Sequence, residues 1–259
     1  MEGRSTIPPF ATNLSNLRIP TPDGTADAFA AFPDDGARHP GVLLYGDAFG
    51  DRPVLRSMAA ELAGHGYYVL VPDFLYRHGP APLLDLPEFI DEKARHTALE
   101  KLMPLLHGHS GERILRDADA FLDFLTEQPE AADGPVGVLG YCFGGLLAVR
   151  TAAARPGQVA ALAGFHCPVV PDASESLHDL LSWISAEVYL GHAASDLTPE
   201  ALDELNGALD GAGLRHLSEI HPDTVHGFTM ADTDAFSADG LRRHWERLVP
   251  LLDRNLPQK

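Results

Sequence analysis

Short apolar runs that alternate with longer amphipathic stretches constrain the fold of this chain more than any other feature. Near-continuous apolar runs of this length are typical of strands in a parallel sheet that is covered on both faces. They occupy residues 42–46, 67–71, 136–140, 159–165 and 186–191. Apolar residues recur at helical spacing elsewhere, at 114–125 and 241–252. The alternation predicts an α/β fold with a mostly parallel, doubly wound sheet flanked by helices.

The sequence predicts a single domain over residues 1–259. No internal repeat, low-complexity tract or Pro/Gly/Ser-rich linker divides the chain. Residues 13–32 alternate more loosely, which predicts one or two antiparallel edge strands. The segment 74–113 is too long for a simple connection. We expect this insertion either to shape a ligand site, as long insertions at the carboxyl ends of strands do, or to be a surface excursion with its own helix.

Composition excludes several classes of protein. The formal net charge of −18 disfavours binding to nucleic acid or to an anionic membrane surface. No apolar run approaches the ~18 residues of a membrane helix, and residues 1–14 show no signal-peptide pattern. Two cysteines, Cys142 and Cys167, are too few for a disulfide framework or a Cys-based zinc site. We therefore expect a cytoplasmic protein, a monomer or small homo-oligomer, with no metal, no cofactor and only small-molecule partners.

The segment 136–145 predicts a nucleophile elbow with Cys142 at its tip. There an apolar strand runs into a helix through the pattern Gly-x-Cys-x-Gly. A nucleophile on such a turn has a strained backbone, and its neighbours two residues away must be small because strand and helix approach closely. Gly140 and Gly144 meet this requirement. The alternative is a βα unit whose glycines merely pack around a buried cysteine.

The same turn predicts an oxyanion hole. The helix begins at the nucleophile, so its dipole favours a thiolate and a developing oxyanion. The backbone N–H of Phe143 is one candidate donor, and the N–H of Ala48, in the loop after 42–46, is the second.

An acid and a histidine follow the elbow in the order nucleophile, acid, histidine that α/β hydrolases use. Asp196 comes soon after the apolar run 186–191, and His226 follows the segment 215–221. Together with the elbow they predict a catalytic triad of Cys142, Asp196 and His226. Other loop residues remain as alternatives, namely Asp172 and Asp223 for the acid and His166, His192 and His221 for the histidine. Cys167 is predicted to be a packed residue.

Three motifs carry a resemblance to a known family. Gly140-Tyr-Cys-Phe-Gly-Gly145, Asp196 and His226-Gly-Phe228 resemble the dienelactone hydrolase family, a Cys-His-Asp branch of the α/β hydrolases, over about residues 25–255. The segments 46–50 and 71–77 are also similar to family motifs. The resemblance implies a single-domain α/β-hydrolase fold and an enzyme that cleaves a lactone or activated carboxylic ester through a cysteine nucleophile and a thioester.

The resemblance also implies roles for two further residues. Asp47 matches a loop carboxylate, Glu in the best-known members, that holds the resting thiol and moves when substrate binds. Arg77 matches an arginine that binds a substrate carboxylate, a task that suits the planar guanidinium fork. A second family arginine corresponds to Met230 here, so half of that clamp is absent. The structural alternatives are that Asp47 shapes the turn and that Arg77 forms an ordinary salt bridge.

Two other functions fit the same residues. A thioesterase or acyl transferase would use the same triad on a different acyl group. A non-catalytic homologue would keep the fold and bind a small molecule without turnover.

Overall fold

An eight-stranded sheet forms the centre of the computed structural model, which describes residues 10–108, 111–167 and 177–256. In the sheet the strands lie in the order β1-β2-β4-β3-β5-β6-β7-β8. β1 and β2 are antiparallel to their neighbours, and β3 to β8 run parallel to one another. The strands are β1 (Thr12–Thr21), β2 (Gly24–Pro33), β3 (Gly41–Tyr45), β4 (Tyr68–Pro72), β5 (Val136–Tyr141), β6 (Val159–Phe165), β7 (Glu187–Ala193) and β8 (His216–His221).

Helices cover both faces of this sheet. In the described part of the chain they are α1 (Pro53–Gly64), α2 (Glu92–His107), α3 (Gly111–Thr126), α4 (Phe143–Ala154), α5 (Leu177–Ser182), α6 (Pro199–Gly211) and α7 (Ala238–Asn255). α1 and α7 pack on one face, and α2 to α6 pack on the other. Successive residues of β3 point alternately into the two apolar layers, since side chains of a strand alternate between its faces. The predicted α/β fold is therefore confirmed.

The strand predictions hold at the level of elements. Each apolar run forms one parallel strand, displaced by at most a residue or two at its ends, because burial on both faces requires an unbroken apolar stretch. The looser alternation of residues 13–32 corresponds to β1 and β2, which form the antiparallel edge of the sheet.

The insertion 74–113 contains a helix of its own and also reaches the loop after β8. Its amphipathic part forms α2, which buries Ala98, Leu102 and Leu106 at a spacing of one helical turn. The N–H of Ile90 donates to the carbonyl of Asp232 at 2.8 Å, and an ion pair joins Arg95 to Asp234. The insertion thus lies against the loop that carries His226, which makes it a candidate wall of the site.

None of the helices that the structure describes is both long and apolar enough to cross a membrane.

Candidate active site

Cys142 lies at a sharp turn between β5 and α4. Its φ of +53° is in the left-handed region, which a non-glycine residue seldom adopts. Hydrogen bonds hold this conformation: the N–H of Cys142 donates to the carbonyl of Phe165 at 3.1 Å, and its own carbonyl accepts from Gly145 at 3.0 Å. The surrounding backbone therefore imposes the strain that a nucleophile elbow requires.

The two glycines around Cys142 are required by close backbone contacts. A Cβ added at Gly140 would lie 2.0 Å from the carbonyl oxygen of Gly144, and a Cβ at Gly144 would lie 2.2 Å from that of Gly46. Backbone atoms cannot rotate away as a side chain can, so any larger residue would separate strand from helix. The second contact also brings the loop after β3, which contains Ala48, against the first turn of α4, where Phe143 lies.

Cys142, His226 and Asp196 form one continuous chain of contacts. His226 Nε2 lies 3.1 Å from Cys142 Sγ, and His226 Nδ1 lies 2.6 Å from Asp196 Oδ2. Ser195 contacts both Asp196 and His226. Its hydroxyl donates to Asp196 Oδ1 and accepts from the His226 backbone N–H, both at 3.0 Å. The three residues follow the carboxyl ends of β5, β7 and β8, which meet at one edge of the parallel sheet.

The pKa of His226 is raised by these contacts. Partial desolvation of this half-exposed ring opposes the charged imidazolium, but hydrogen bonds and Coulombic attraction to Asp196 and Cys142 outweigh it and raise the pKa of His226 to about 10. At neutral pH the ring is then an imidazolium that donates from both nitrogens. One ring nitrogen then faces the Asp196 carboxylate, and the other faces the Cys142 sulfur.

The second cysteine lies in the core. Cys167 is 5% exposed, and a Cβ at Gly145 would lie 2.2 Å from its Cβ. Burial raises the pKa of Cys167 to about 12, so this thiol stays neutral.

The alternative histidines have other partners. His166 Nε2 hydrogen-bonds with Thr229 at 2.8 Å, His192 with Ser218 at 3.0 Å and His221 with Tyr189 at 2.8 Å. Burial lowers the pKa of all three histidines, so they are neutral at physiological pH.

The two alternative acids do not replace Asp196 in these contacts. Asp223 lies in the turn after β8 with a φ of +56°, and Asp172 lies outside the described residues.

Asp47 is engaged by an arginine. Its two carboxylate oxygens accept from Arg52 at 2.7 and 2.8 Å, and Oδ1 also accepts from the N–H of Phe49 at 3.0 Å. Arg52 donates in addition to Asp232 at 2.6 Å. The sequence patterns did not point to Arg52 or Asp232, because an ion pair between distant loops has no local signature.

Arg77 is also engaged by carboxylates. Its side chain is 11% exposed, and its guanidinium donates to Asp117 at 2.6 and 2.8 Å and to Asp23 at 2.7 and 3.1 Å. Met230, at the position of the second family arginine, is 1% exposed and packs in the apolar layer with Phe228. A bidentate grip on a substrate carboxylate would compete with these partners, because four of the five guanidinium N–H groups already donate to Asp23 and Asp117.

Within residues 10–108, 111–167 and 177–256, no three His, Cys, Asp or Glu side chains are grouped so that they could hold a metal ion.

Proteins with similar sequences and structures include dienelactone hydrolases and related hydrolases. A model of the dienelactone hydrolase family matches residues 26–256. The carboxymethylenebutenolidase of Pseudomonas sp. strain P51 is 29% identical, over 85% of this chain and 87% of its own length. That of Rhodococcus opacus is 27% identical, over 98% and 96%. The dienelactone hydrolase-like promiscuous phosphotriesterase P91, from metagenomic libraries, superposes with a TM-score of 0.78 at 21% identity, over 95% of this chain and 99% of its own.

These likenesses differ in what they support. The solved structure supports the fold alone. The family model covers nearly the whole sequence and includes β2 to α7, the elbow and both loops that carry Asp196 and His226. The chain therefore belongs to the dienelactone hydrolase family and is a hydrolase with an α/β-hydrolase fold.

Proposed function

We propose that this hydrolase cleaves lactones or activated carboxylic esters with Cys142 as the nucleophile, through a thioester intermediate. The observation that carries the proposal is the chain of contacts from Cys142 Sγ to His226 Nε2, at 3.1 Å, and from His226 Nδ1 to Asp196 Oδ2, at 2.6 Å. A nucleophile, a base within hydrogen-bond reach and a third group that orients the base are the requirements for covalent catalysis.

In the proposed acylation step, the Cys142 thiolate attacks the carbonyl carbon and the carbonyl oxygen becomes an oxyanion. The backbone N–H groups of Phe143 and Ala48 would stabilise that charge, an effect worth about 3 kcal/mol per donor. The oxyanion then collapses and the C–O bond to the leaving group breaks. The His226 imidazolium gives its proton to the departing oxygen, and Asp196 keeps the ring oriented.

In the proposed deacylation step, neutral His226 accepts a proton from water, which attacks the thioester. The C–S bond breaks, the carboxylic acid leaves and the thiolate–imidazolium pair is restored. In a lactone the leaving oxygen belongs to the same molecule, so one open-chain hydroxy acid, or its keto tautomer for an enol lactone, is released.

A thiol nucleophile favours substrates with a good leaving group. A thiolate is expelled more easily than an ordinary alkoxide, so an unactivated ester would mostly return to starting material, whereas an enol lactone goes forward. The similarity to carboxymethylenebutenolidases, whose name denotes cleavage of a butenolide lactone, supports a lactone substrate. We propose that the insertion 74–113 shapes the substrate site, because Ile90 and Arg95 attach it to the loop that carries His226.

The decisive experiment is to trap the thioester. An activated ester should add one acyl group to the wild-type protein at Cys142, detected by mass spectrometry, and hydroxylamine should remove it. Cys142→Ala should fold normally, take up no acyl group and lose hydrolysis, while Cys167→Ala, the matched control, should retain both. Full turnover by Cys142→Ala would falsify the nucleophile assignment.

The same experiment separates the other functions. Faster turnover of an acyl thioester than of any lactone or ester would indicate a thioesterase, and transfer of the acyl group to an added alcohol or thiol would indicate an acyl transferase. Absence of acylation and of rapid alkylation by iodoacetamide near neutral pH would indicate a non-catalytic binding protein.

A further inference from the structure

One buried arginine joins the loop after β3 to the loop that carries His226. Arg52, 9% exposed, donates from Nη1 and Nη2 to the two oxygens of Asp47 at 2.7 and 2.8 Å. Its Nε donates at 2.6 Å to Asp232, on the other loop, and its Nη1 donates at 3.3 Å to the carbonyl of Gly50. A single planar group thus ties together two loops that are far apart in sequence.

The loop after β3 turns tightly around this ion pair. Asp47 Oδ1 accepts from the N–H of Phe49 at 3.0 Å, and the Asp47 carbonyl accepts from the N–H of Gly50 at 3.2 Å. Ala48, which is 3% exposed, lies between Asp47 and Phe49, and the Asp47 carboxylate hydrogen-bonds to the N–H of Phe49 across it. The direction of the Ala48 N–H is therefore set by the peptide on either side of it, and Arg52 anchors that peptide.

The triad is held by a different set of contacts. Asp196 and Ser195 fix both the ring and the backbone of His226, and the elbow fixes Cys142 through Phe165 and Gly145. None of these contacts involves Arg52. Loss of Arg52 should consequently change the loop after β3 more than it changes the thiolate–imidazolium pair.

We infer that Arg52 is a positioning residue that holds the Ala48 N–H at the oxyanion hole by clamping Asp47 against Asp232. The inference rests on the proposed function, since it assigns a task within that reaction. It also gives Asp47 a role other than contact with the resting thiol: both carboxylate oxygens are committed to Arg52.

The chemistry of the clamp requires arginine. The guanidinium fork grips one carboxylate with two parallel N–H groups while its Nε reaches a second carboxylate. A lysine ammonium would supply charge but not this planar geometry, so Arg52→Lys should keep the fold better than Arg52→Gln and still loosen the loop.

Two reactions of Cys142 distinguish this positioning role from a general effect on the fold. Ester hydrolysis develops charge on a carbonyl oxygen and therefore needs the oxyanion donors. Alkylation by iodoacetamide forms the S–C bond and releases iodide at a saturated carbon, so it needs only the reactive thiolate. Both rates should be measured for wild type, Arg52→Gln and Arg52→Lys, with thermal unfolding as the check on folding.

We expect kcat/KM for an activated ester to fall about a hundredfold in Arg52→Gln, the typical effect of losing one oxyanion donor, and less in Arg52→Lys. The alkylation rate should stay within about twofold of wild type, since the helix dipole and the histidine that activate the thiol are unchanged. Arg56→Gln is the matched control, because Arg56 lies one helical turn further on and pairs with Asp51 instead. Its two rates should equal those of wild type.

Other outcomes overturn the inference. A parallel fall of hydrolysis and alkylation in a folded variant would mean that Arg52 supports the triad itself, and unchanged hydrolysis would mean that the clamp is dispensable. If Arg52→Gln does not fold, Asp47→Asn takes its place, since the amide keeps one acceptor for Arg52, and the same selective loss is expected. Hydrolysis that persists in Cys142→Ala would instead overturn the proposed function itself.

Discussion

At the scale of single residues, the proton on His226 decides what the site can do. The ring lies between the Asp196 carboxylate and the Cys142 sulfur, and its hydrogen bonds to both raise its pKa to about 10 in spite of partial desolvation. The neutral histidines nearby, including His166, whose ring centroid lies 5.2 Å from that of His226, add no competing charge. His226 can therefore keep a proton at neutral pH and give it to a leaving group.

Asp196→Asn should lower the pKa of His226, because the amide no longer attracts the imidazolium. In the enzyme without substrate, the imidazolium form of His226 is the one that can donate a proton. In wild type, kcat/KM should therefore fall on the alkaline side near about pH 10, and in Asp196→Asn this fall should move to lower pH. The maximal rate should drop by up to about 10⁴-fold, the effect in a serine triad whose acid is replaced by an amide. The measurement is a pH profile of kcat/KM for wild type and variant.

The matched control is Asp223→Asn, which changes an exposed aspartate three residues before His226. Its φ of +56° suits asparagine as well as aspartate, so its profile should match that of wild type. An alkaline limb that stays in place in Asp196→Asn would contradict the assigned role of Asp196.

At the scale of elements, the site exists because the carboxyl ends of β5, β7 and β8 lie at one edge of the parallel sheet, where α4 also begins. Gly46 at the end of β3 touches Gly144 in the first turn of α4, so the elbow and the loop after β3 share one close contact. Ion pairs then fix the connections: Arg77, in the short turn 76–78, joins the β1–β2 turn at Asp23 to α3 at Asp117.

Gly144→Ala should prevent the close approach of α4 and β3. The new Cβ would lie 2.2 Å from the Gly46 carbonyl oxygen, and neither backbone can move without separating the helix from the sheet. We expect a loss of at least about 3 kcal/mol in the free energy of unfolding, measured by chemical denaturation. Gly157→Ala, with no atom within 4 Å of the new Cβ, should be neutral. Equal stability of the two variants would contradict the packing argument.

Arg77→Ala should destabilise the fold without changing substrate preference. Asp117 is 3% exposed, so loss of its arginine leaves a buried carboxylate with weaker compensation, at a cost of about 3 kcal/mol in the free energy of unfolding. Arg116→Ala, which removes a 42% exposed partner of Asp23, should cost less than about 1 kcal/mol.

Substrate preference is tested by measuring kcat/KM of wild type and Arg77→Ala for lactones with and without a free carboxylate. We expect the ratio of their kcat/KM values to be the same in wild type and in Arg77→Ala, because the guanidinium is already paired. A loss confined to the carboxylate-bearing substrates would show that Arg77 releases its partners and binds the substrate.

At the scale of the whole molecule, the formal net charge of −18 acts on every charged substrate that approaches. An anionic substrate is repelled, and salt screens that repulsion over a distance of about 10 Å at 0.1 M. The arginines that could oppose it, Arg52 and Arg77, are paired with carboxylates.

A carboxylate-bearing lactone should consequently react faster as ionic strength rises. We expect kcat/KM to increase about two- to threefold between about 20 and 200 mM NaCl, whereas the methyl ester of the same lactone should show no change. The measurement is initial rates at substrate concentrations below KM. A decrease with salt for the anionic lactone would indicate a positive local field at the site that prevails over the net charge.

Local and periodic features allowed much of this protein to be predicted from its sequence. Strand–helix alternation predicted the α/β fold because the two elements leave different apolar patterns. A strand buried on two faces is a continuous apolar run, whereas a helix buried on one face has apolar residues at helical spacing. The elbow predicted a strained Cys142 because only glycines fit two residues away from it. The order of Cys142, Asp196 and His226 predicted their meeting, because parallel strands bring their carboxyl ends to one edge.

The partners of the charged loop residues were decided only by the tertiary structure. Asp47 and Arg77 match family motifs, yet which group each one faces depends on loops from other parts of the chain. Arg52 and Asp232 meet although they lie 180 residues apart, and Arg77 meets Asp117 from α3. Such pairs leave no periodic pattern, since their energy depends on burial and on distances of a few ångströms that exist only after the sheet and its helices have packed.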